Sequence, residues 1–510
     1  MRFKHILKAQ IGLIVVFIGI FLFGAGLYRG FKGGDQDIIT FFLLFISFFL
    51  PIMCCINRRE KDSEYGYDFF QPGIIMVIFF YIYIVTPAIH IWYNLNYNSN
   101  WISIPSDKQA ALFNYTLLIT NMGIMCFGLG YRAKIGYIFN STKSRRLSNS
   151  LKRIRWSNDS FIKLIIVVLI GIGLLARIFI ISKIWGLLSD ILGYLSPSIR
   201  ATRDIKISGI IYFLSSFLDW GALFLFLRYI VTKKKGYLAI LVMLFALVSG
   251  YLLGGKRSDV LPFFLFPLVW YHYLRRRINF SLGLVYALGG LVFMASLMFA
   301  RSLIAYSFID PASVKEVISE IKQDPLDVYL NSPELTVFDM TVASIKDREN
   351  ILENIGGWFS GMWNYNFSTI LYLIPRILWI EKPVFEDLGQ IMYRLFIGDS
   401  KYVGFSLGIF GGLYIFGGLI GVLIGMIAIG VMCRAVYLIL QPYKSTSASV
   451  FIYSILIWII FMFFRFGTLG FTILFFIQKL SIGTTVGLLW LFLQKRSVLH
   501  IYKNRLVKSD

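Results

Sequence analysis

The sequence predicts an all-α polytopic membrane protein with about twelve transmembrane helices. The first observation is composition: of 510 residues, 57% are hydrophobic and 17% aromatic, and the mean hydropathy is +0.71. A water-soluble chain of this length could not bury so much apolar surface in one core. The second observation is that apolar runs of about 20 residues, long enough to cross a bilayer, recur along the chain. The third is that cations concentrate in the short segments between these runs.

The apolar runs define the predicted helices in chain order. The first run follows Arg2, Lys4 and Lys8, as in a signal peptide, but no small-residue cleavage site follows it. We therefore expect an uncleaved first span. The predicted ranges are 11–28, 38–56, 73–92, 110–130, 161–185, 209–230, 237–253, 258–274, 281–304, 405–433, 449–464 and 471–493.

Basic residues predict the orientation of these helices. If the N-terminus is cytoplasmic, every short inner loop except 434–448 carries three or more cations, as the positive-inside rule requires. The C-terminus is then cytoplasmic as well. This pattern accounts for the net charge of +23 without a nucleic-acid partner. The inner cations are Arg58, Arg59, Lys61, Lys143, Arg145, Arg146, Lys152, Arg153, Arg155, Lys233, Lys234, Lys235, Arg275, Arg276, Arg277, Lys495, Arg496, Lys503, Arg505 and Lys508.

The chain divides into three regions: helices 1–9 in 1–304, a large periplasmic loop with short amphipathic helices in 305–404, and helices 10–12 with a basic tail in 405–510. Within the loop, 347–355 predicts a helix that Gly356 and Gly357 close. The aromatic stretch 358–365 predicts a helix at the lipid headgroups. The glycines in 404–425 are compatible with close helix packing or with a broken helix that lines a polar cavity.

Several cations lie at span ends on the predicted outer face. Cations from separate helices at one membrane depth repel each other unless an anion joins them, and arginine binds pyrophosphate in bidentate fashion. We therefore expect a site for a pyrophosphate at the membrane surface, with no metal and no cofactor. The sequence contains no ATP-binding motif. The predicted diphosphate-binding residues are Arg200, Arg203, Lys256, Arg257, Arg301, Arg376, Lys382 and Arg465.

Acid–base candidates on the outer side are few. His90 ends the third predicted span, and Asp339 lies in the long loop. With Arg257 and Arg376 they form the predicted catalytic set. Arg177 and Asp219 are the obvious charges inside predicted spans.

Three stretches resemble the Wzy-type polymerases, which join oligosaccharide repeat units of bacterial surface polysaccharides. They are the Gly-Gly-Lys-Arg turn at 254–257, the segment 374–383 with its two bracketing prolines, and the glycine-rich stretch 404–417. The layout of many spans with one large outer loop late in the chain is also similar. One position departs from the family pattern. In the third stretch of these polymerases an acidic residue often precedes a Leu-Tyr pair, whereas in this sequence Gly412 occupies that position.

The resemblance implies a membrane glycosyltransferase of the GT-C type in the bacterial inner membrane, with its active site facing the periplasm. Its substrate would be an undecaprenyl-diphosphate-linked oligosaccharide, as in O-antigen and lipopolysaccharide biosynthesis. Membrane lipid and a chain-length regulator protein would be partners. Trp358, Trp363 and Tyr414 are the expected glycan or loop contacts.

Two alternatives remain open at this point. An O-antigen ligase would use the same lipid-diphosphate donor with a different acceptor. A lipid-linked oligosaccharide flippase would need a polar path through the bilayer midplane. The sequence does not identify the sugar or the linkage.

Overall fold

A computed structural model gives the architecture of the chain. It describes residues 35–56, 68–93, 106–133, 160–184, 209–234, 236–254, 257–279, 336–367, 388–396, 405–440 and 447–468, together with a few isolated positions. For 251–254 and 257–259 it describes only the backbone. Every element among these residues is a helix.

The helices are numbered here in chain order. They are α1 Asp35–Cys55, α2 Pro72–Tyr93, α3 Ser106–Arg132, α4 Ser160–Ile184, α5 Gly209–Thr232, α6 Gly236–Gly254, α7 Arg257–Leu274, α8 Val337–Lys346, α9 Arg348–Asn354, α10 Trp358–Met362, α11 Leu388–Phe396, α12 Gly408–Leu440 and α13 Ser447–Phe466.

Seven of the described helices are long and apolar enough to cross a membrane, namely α1 to α5, α12 and α13. Parts of α6 and α7, Gly236–Gly250 and Val260–Leu274, are shorter apolar helices. These nine coincide with nine of the predicted spans. The predicted spans 11–28 and 471–493, and most of 281–304, lie outside the described residues.

The helices share two ends, which we name the Asp68 end and the Gly418 end. At the Asp68 end, Arg132 donates a hydrogen bond of 3.0 Å to the carbonyl of Ile56, which links α3 to α1. Arg275 donates one of 3.0 Å to the carbonyl of Tyr229, which links the residues after α7 to α5. Cations therefore gather at this end. Those described include Arg132, Lys233, Lys234, Arg275, Arg276, Arg277 and Arg434.

At the Gly418 end, α12 breaks and folds back on itself. Gly418 has a φ of 57° and a ψ of −151°, outside the helical region. A Cβ on Gly425 would lie 2.6 Å from the Leu413 side chain. Twelve residues of straight helix would separate these positions by about 18 Å. The first half of α12, 408–417, therefore packs against the second half, 419–440.

The predicted outer loop contains a helix that is buried in the bundle. From Val337 to Ser344 every residue of α8 is buried, including Asp339. The helix packs against α12 and α3, with the rings of Phe338 and Phe113 5.2 Å apart in an edge contact. This helix is not among those predicted for the loop, and its burial comes from the helices packed around it.

Candidate functional site

The break in α12 leaves backbone carbonyls that other side chains satisfy. In an unbroken helix the carbonyls of residues 414–416 would accept hydrogen bonds from the amides four residues later, and Gly418 disrupts this pattern. The Nε of Arg348 donates instead to the carbonyl oxygens of Tyr414 (3.2 Å) and Ile415 (3.0 Å). The indole of Trp358 donates to the carbonyl of Phe416. A cation also opposes the negative pole at the end of this half-helix.

The start of α12 meets the end of α13 through glycine backbone. A Cβ on Gly412 would overlap the carbonyl oxygen of Gly467, and a Cβ on Gly467 would overlap that of Gly408. Gly408 and Gly467 also have positive φ values, 69° and 73°. This contact explains the departure at position 412, because the space that an acidic side chain would need is filled by backbone.

Asp339 is a carboxylate inside the bundle. Its side chain lies on α8 and is 8% exposed. Gly408 and Gly411, in the first turn of α12, contact Val337 and Ser344 of the same helix. The sequence predicts Asp339 as a catalytic residue, and the structure places it on a buried helix that packs against the first half of α12. A buried carboxylate next to a broken helix can act as a base if a hydroxyl reaches it.

Arg465 contacts the residues that precede α12. It occupies the last turn of α13, and its Nε lies 3.3 Å from the Oγ of Ser406, which it contacts as donor. Ser406 is buried two residues before α12 begins. The guanidinium also lies 5.4 Å from the ring of Phe466. The helix that carries Asp339 and the end of α13 that carries Arg465 therefore both pack against the first half of α12.

Three aromatic side chains project from α10 and the turn that follows it. Trp358, Phe359 and Trp363 are 48%, 69% and 54% exposed. Gly361, on the opposite face, is buried against Ile355 and Phe416. We name Trp358, Phe359 and Trp363 the aromatic ridge. Its exposure at the Gly418 end fits the predicted helix at the lipid headgroups.

The other predicted site residues fall at different places. Tyr414 lies in the first half of α12, next to Arg348 and in hydrogen-bond contact with Tyr115 of α3. His90 lies in the last turn of α2, beyond the π-helical turn Tyr81–Val85 that packs against α8. The backbone of Arg257 begins α7, but its side chain is outside the description. The predicted residues that lie outside the described part of the chain are Arg200, Arg203, Lys256, Arg301, Arg376 and Lys382.

The two charges inside predicted spans neutralise each other. Arg177 of α4 forms an ion pair with Asp219 of α5, and the side chains are 3% and 27% exposed. Arg177 also donates to the carbonyl of Ala246, 2.6 Å away, and to the hydroxyl of Ser249. The pair therefore joins α4, α5 and α6.

Asp68 forms a polar cluster that the sequence did not suggest. Its carboxylate accepts hydrogen bonds of 2.7 Å from both Tyr273 and Tyr437, and one of 3.1 Å from the backbone amide of Phe70. His272 Nε2 lies 3.1 Å from Asp68 Oδ1. His272 Nδ1 accepts the amide of Ile278, which leaves the proton on Nε2 to face the carboxylate.

The cluster sets the ionisation of Asp68. Burial alone raises the pKa of this carboxyl, but the contacts from His272, Tyr273 and Tyr437 outweigh burial and hold the pKa below its ordinary value of 3.8. The charged form therefore connects α7 and α12 to the segment before α2.

A role for Arg348 was also not predicted from the sequence. This residue lies in a polar run, Lys346 to Glu349, which is typical of an exposed surface.

Comparison with known proteins adds no relative. No protein-family model, no curated protein and no solved structure matches this chain.

Proposed function

We propose that the protein is a polymerase of undecaprenyl-diphosphate-linked oligosaccharide repeat units. The observation that carries the proposal is the arrangement around the first half of α12. The helix that carries buried Asp339 and the end of α13 that carries Arg465 both pack against this half of a broken helix. Irregular backbone at membrane depth occurs where it is enclosed by protein or lines a polar cavity. A carboxylate and a cation on the elements packed against such a helix support chemistry on an anionic, membrane-bound substrate.

The proposed reaction transfers the growing glycan to a new lipid-linked unit. A hydroxyl at the non-reducing end of the new unit attacks the anomeric carbon of the donor sugar. The bond from that carbon to the phosphate oxygen breaks, and its electron pair leaves with undecaprenyl diphosphate. Asp339 accepts the hydroxyl proton. Arg465 and the predicted cations Arg257 and Arg376 stabilise the departing negative charge, so the leaving group needs no protonation.

The orientation forms part of the proposal. The cations at the Asp68 end favour a cytoplasmic location for that end. The Gly418 end then faces the periplasm across the bacterial inner membrane, where flipped lipid-linked units would arrive. The aromatic ridge supports a location of the Gly418 end, and of the site there, at the level of the lipid headgroups.

Cellular glycans test the polymerase proposal. Arg257→Ala or Arg376→Ala, at normal expression, is expected to leave single repeat units on lipid A-core and to remove long chains. Arg276→Ala is the matched control, because Arg276 is exposed at the Asp68 end. Normal chain-length ladders in both site variants would contradict the proposal.

The alternatives have less support. A flippase needs charges along a path through the midplane, whereas the mid-span charges Arg177 and Asp219 are committed to each other. An O-antigen ligase differs in its acceptor. Its deletion would leave polymer on undecaprenyl diphosphate, whereas loss of a polymerase leaves single units.

A further inference from the structure

Arg348 holds its guanidinium in a fixed position through its Nε–H. Its Nε–H is shared between the carbonyls of Tyr414 and Ile415. Among the residues that the structure describes, none accepts a hydrogen bond from either terminal nitrogen. The neighbouring carboxylate of Asp347 lies 3.2 Å from the ammonium of Lys346. The two terminal nitrogens of Arg348 therefore offer four N–H groups in a planar fork.

A fork of this kind matches the oxygen atoms of a phosphate. Arginine binds phosphate through two parallel charged hydrogen bonds, and the binding costs less entropy when the guanidinium is already fixed. Arg348 is half-buried at the surface of the Gly418 end. Its anchor on the broken half-helix fixes the direction of the fork, which a freely rotating surface arginine lacks.

The surroundings of Arg348 indicate a lipid as the source of the phosphate. The carbonyls that anchor Arg348 are adjacent to the carbonyl of Phe416, which anchors Trp358. The aromatic ridge therefore begins one residue from the Arg348 anchor. Tryptophan rings in a membrane protein are enriched at the boundary between headgroups and acyl chains. An anion-binding fork beside such a ridge fits a ligand with a phosphate head and an isoprenoid or acyl tail.

We propose that Arg348 binds a phosphate of a membrane lipid diphosphate, and that the lipid chain lies along the aromatic ridge formed by Trp358, Phe359 and Trp363. This inference rests on the proposed function and names a binding residue for its substrate that the sequence motifs do not contain. The same fork would take free pyrophosphate, so the test must separate the two sources.

Direct binding to the full-length protein in zwitterionic nanodiscs tests the proposal. The probes are geranylgeranyl diphosphate, inorganic pyrophosphate and geranylgeraniol, and the readout is Kd from intrinsic tryptophan fluorescence. Arg348→Gln and Arg348→Lys are expected to weaken geranylgeranyl diphosphate binding about tenfold or more, because both lose the bidentate pair. The Lys variant keeps an ammonium that can reach the α12 carbonyls, so its Tm is expected to stay near the wild-type value. Arg276→Gln is expected to keep the wild-type Kd.

Each outcome bears on a different part of the proposal. Unchanged affinity in both Arg348 variants would overturn it. Equal weakening of geranylgeraniol binding would also overturn it, since the effect would then not involve phosphate. Inorganic pyrophosphate binding as tightly as the prenyl compound would overturn the lipid assignment.

The test also separates this inference from the polymerase proposal. If the wild-type protein binds the prenyl diphosphate through Arg348 but does not lengthen lipid-linked oligosaccharides, the polymerase proposal fails and the binding site stands. If lengthening occurs and Arg348→Lys leaves Kd unchanged, only the role of Arg348 fails.

Discussion

Gly412 and Gly467 meet backbone to backbone, so the beginning of α12 and the end of α13 approach more closely than any side chain would allow. Arg465 lies two residues before Gly467, so this contact holds Arg465 near the first half of α12. Arg465 also contacts Ser406, which precedes α12. The geometry of the candidate site therefore depends on the absence of a side chain at position 412.

Gly412→Ala is expected to destabilise the protein. The new methyl group overlaps the Gly467 carbonyl, and relieving such an overlap costs about 1–3 kcal/mol in packed interiors. The control is Gly417→Ala, in the same half-helix, where the added Cβ meets no described atom within 4 Å outside its own stretch of helix. Thermal unfolding in detergent measures both. A Gly412→Ala protein as stable as Gly417→Ala would refute the close contact.

Breaking the ion pair between α4 and α5 is expected to be costly. Asp219→Ala leaves the Arg177 charge buried without its partner and should lower the free energy of unfolding by about 3 kcal/mol. This value is at the low end for a broken buried ion pair, because Asp219 is partly exposed. The double variant Arg177→Leu/Asp219→Ala should recover part of this loss, as an equilibrium unfolding series would show. Strictly additive losses would mean that the two side chains do not interact.

Asp68 is expected to make stability depend on pH in the acid range. Its pKa is lower in the folded protein than its ordinary value of 3.8, so the folded state binds fewer protons than the unfolded state in this window. The stabilisation is complete above about pH 3.8, and it is lost as the pH falls towards the lower pKa that Asp68 has in the folded protein. Asp68→Asn should cost about 1–3 kcal/mol at neutral pH, because it weakens a buried network.

The Asp68→Asn protein should also lose less further stability than wild type on acidification. Tm measured from neutral pH down to about pH 3, below the reference pKa of aspartate, compares the two proteins. Parallel curves would show that Asp68 does not carry the effect.

Asp339→Asn is expected to slow chain lengthening about 100-fold, the lower range for removal of a general base. The amide keeps the shape of the side chain, so KM for the lipid-linked unit should change little. Initial rates on a reconstituted substrate give both parameters. If kcat remains within about twofold of wild type, Asp339 does not take the proton.

The sequence predicts the spans well but predicts the Gly418 end only in part. Long apolar runs identify α1 to α7 and α13 because length and hydropathy are local properties. The helix closed by Gly356 and Gly357 was likewise predictable, and both glycines have positive φ values, 81° and 89°. For α12, the glycine pattern left close packing and a break as alternatives, and the structure contains both.

The burial of α8 and the role of Arg348 could not be predicted from sequence. Ten residues with one aspartate, Val337–Lys346, are too short to indicate a membrane element. Their burial depends on α3 and α12, which are far away in the chain. Arg348 acquires its partners only because Gly418 breaks a helix 70 residues later in sequence. Both features depend on tertiary contacts, which the local periodicity of the sequence does not indicate.

Reconstitution in proteoliposomes with a defined undecaprenyl-diphosphate-linked oligosaccharide tests the central claim most directly. The account predicts that the purified protein lengthens the lipid-linked glycan by whole repeat units and releases one undecaprenyl diphosphate per unit added. Transfer of the unmodified substrate across the bilayer, with no lengthening and no release of undecaprenyl diphosphate, would contradict it.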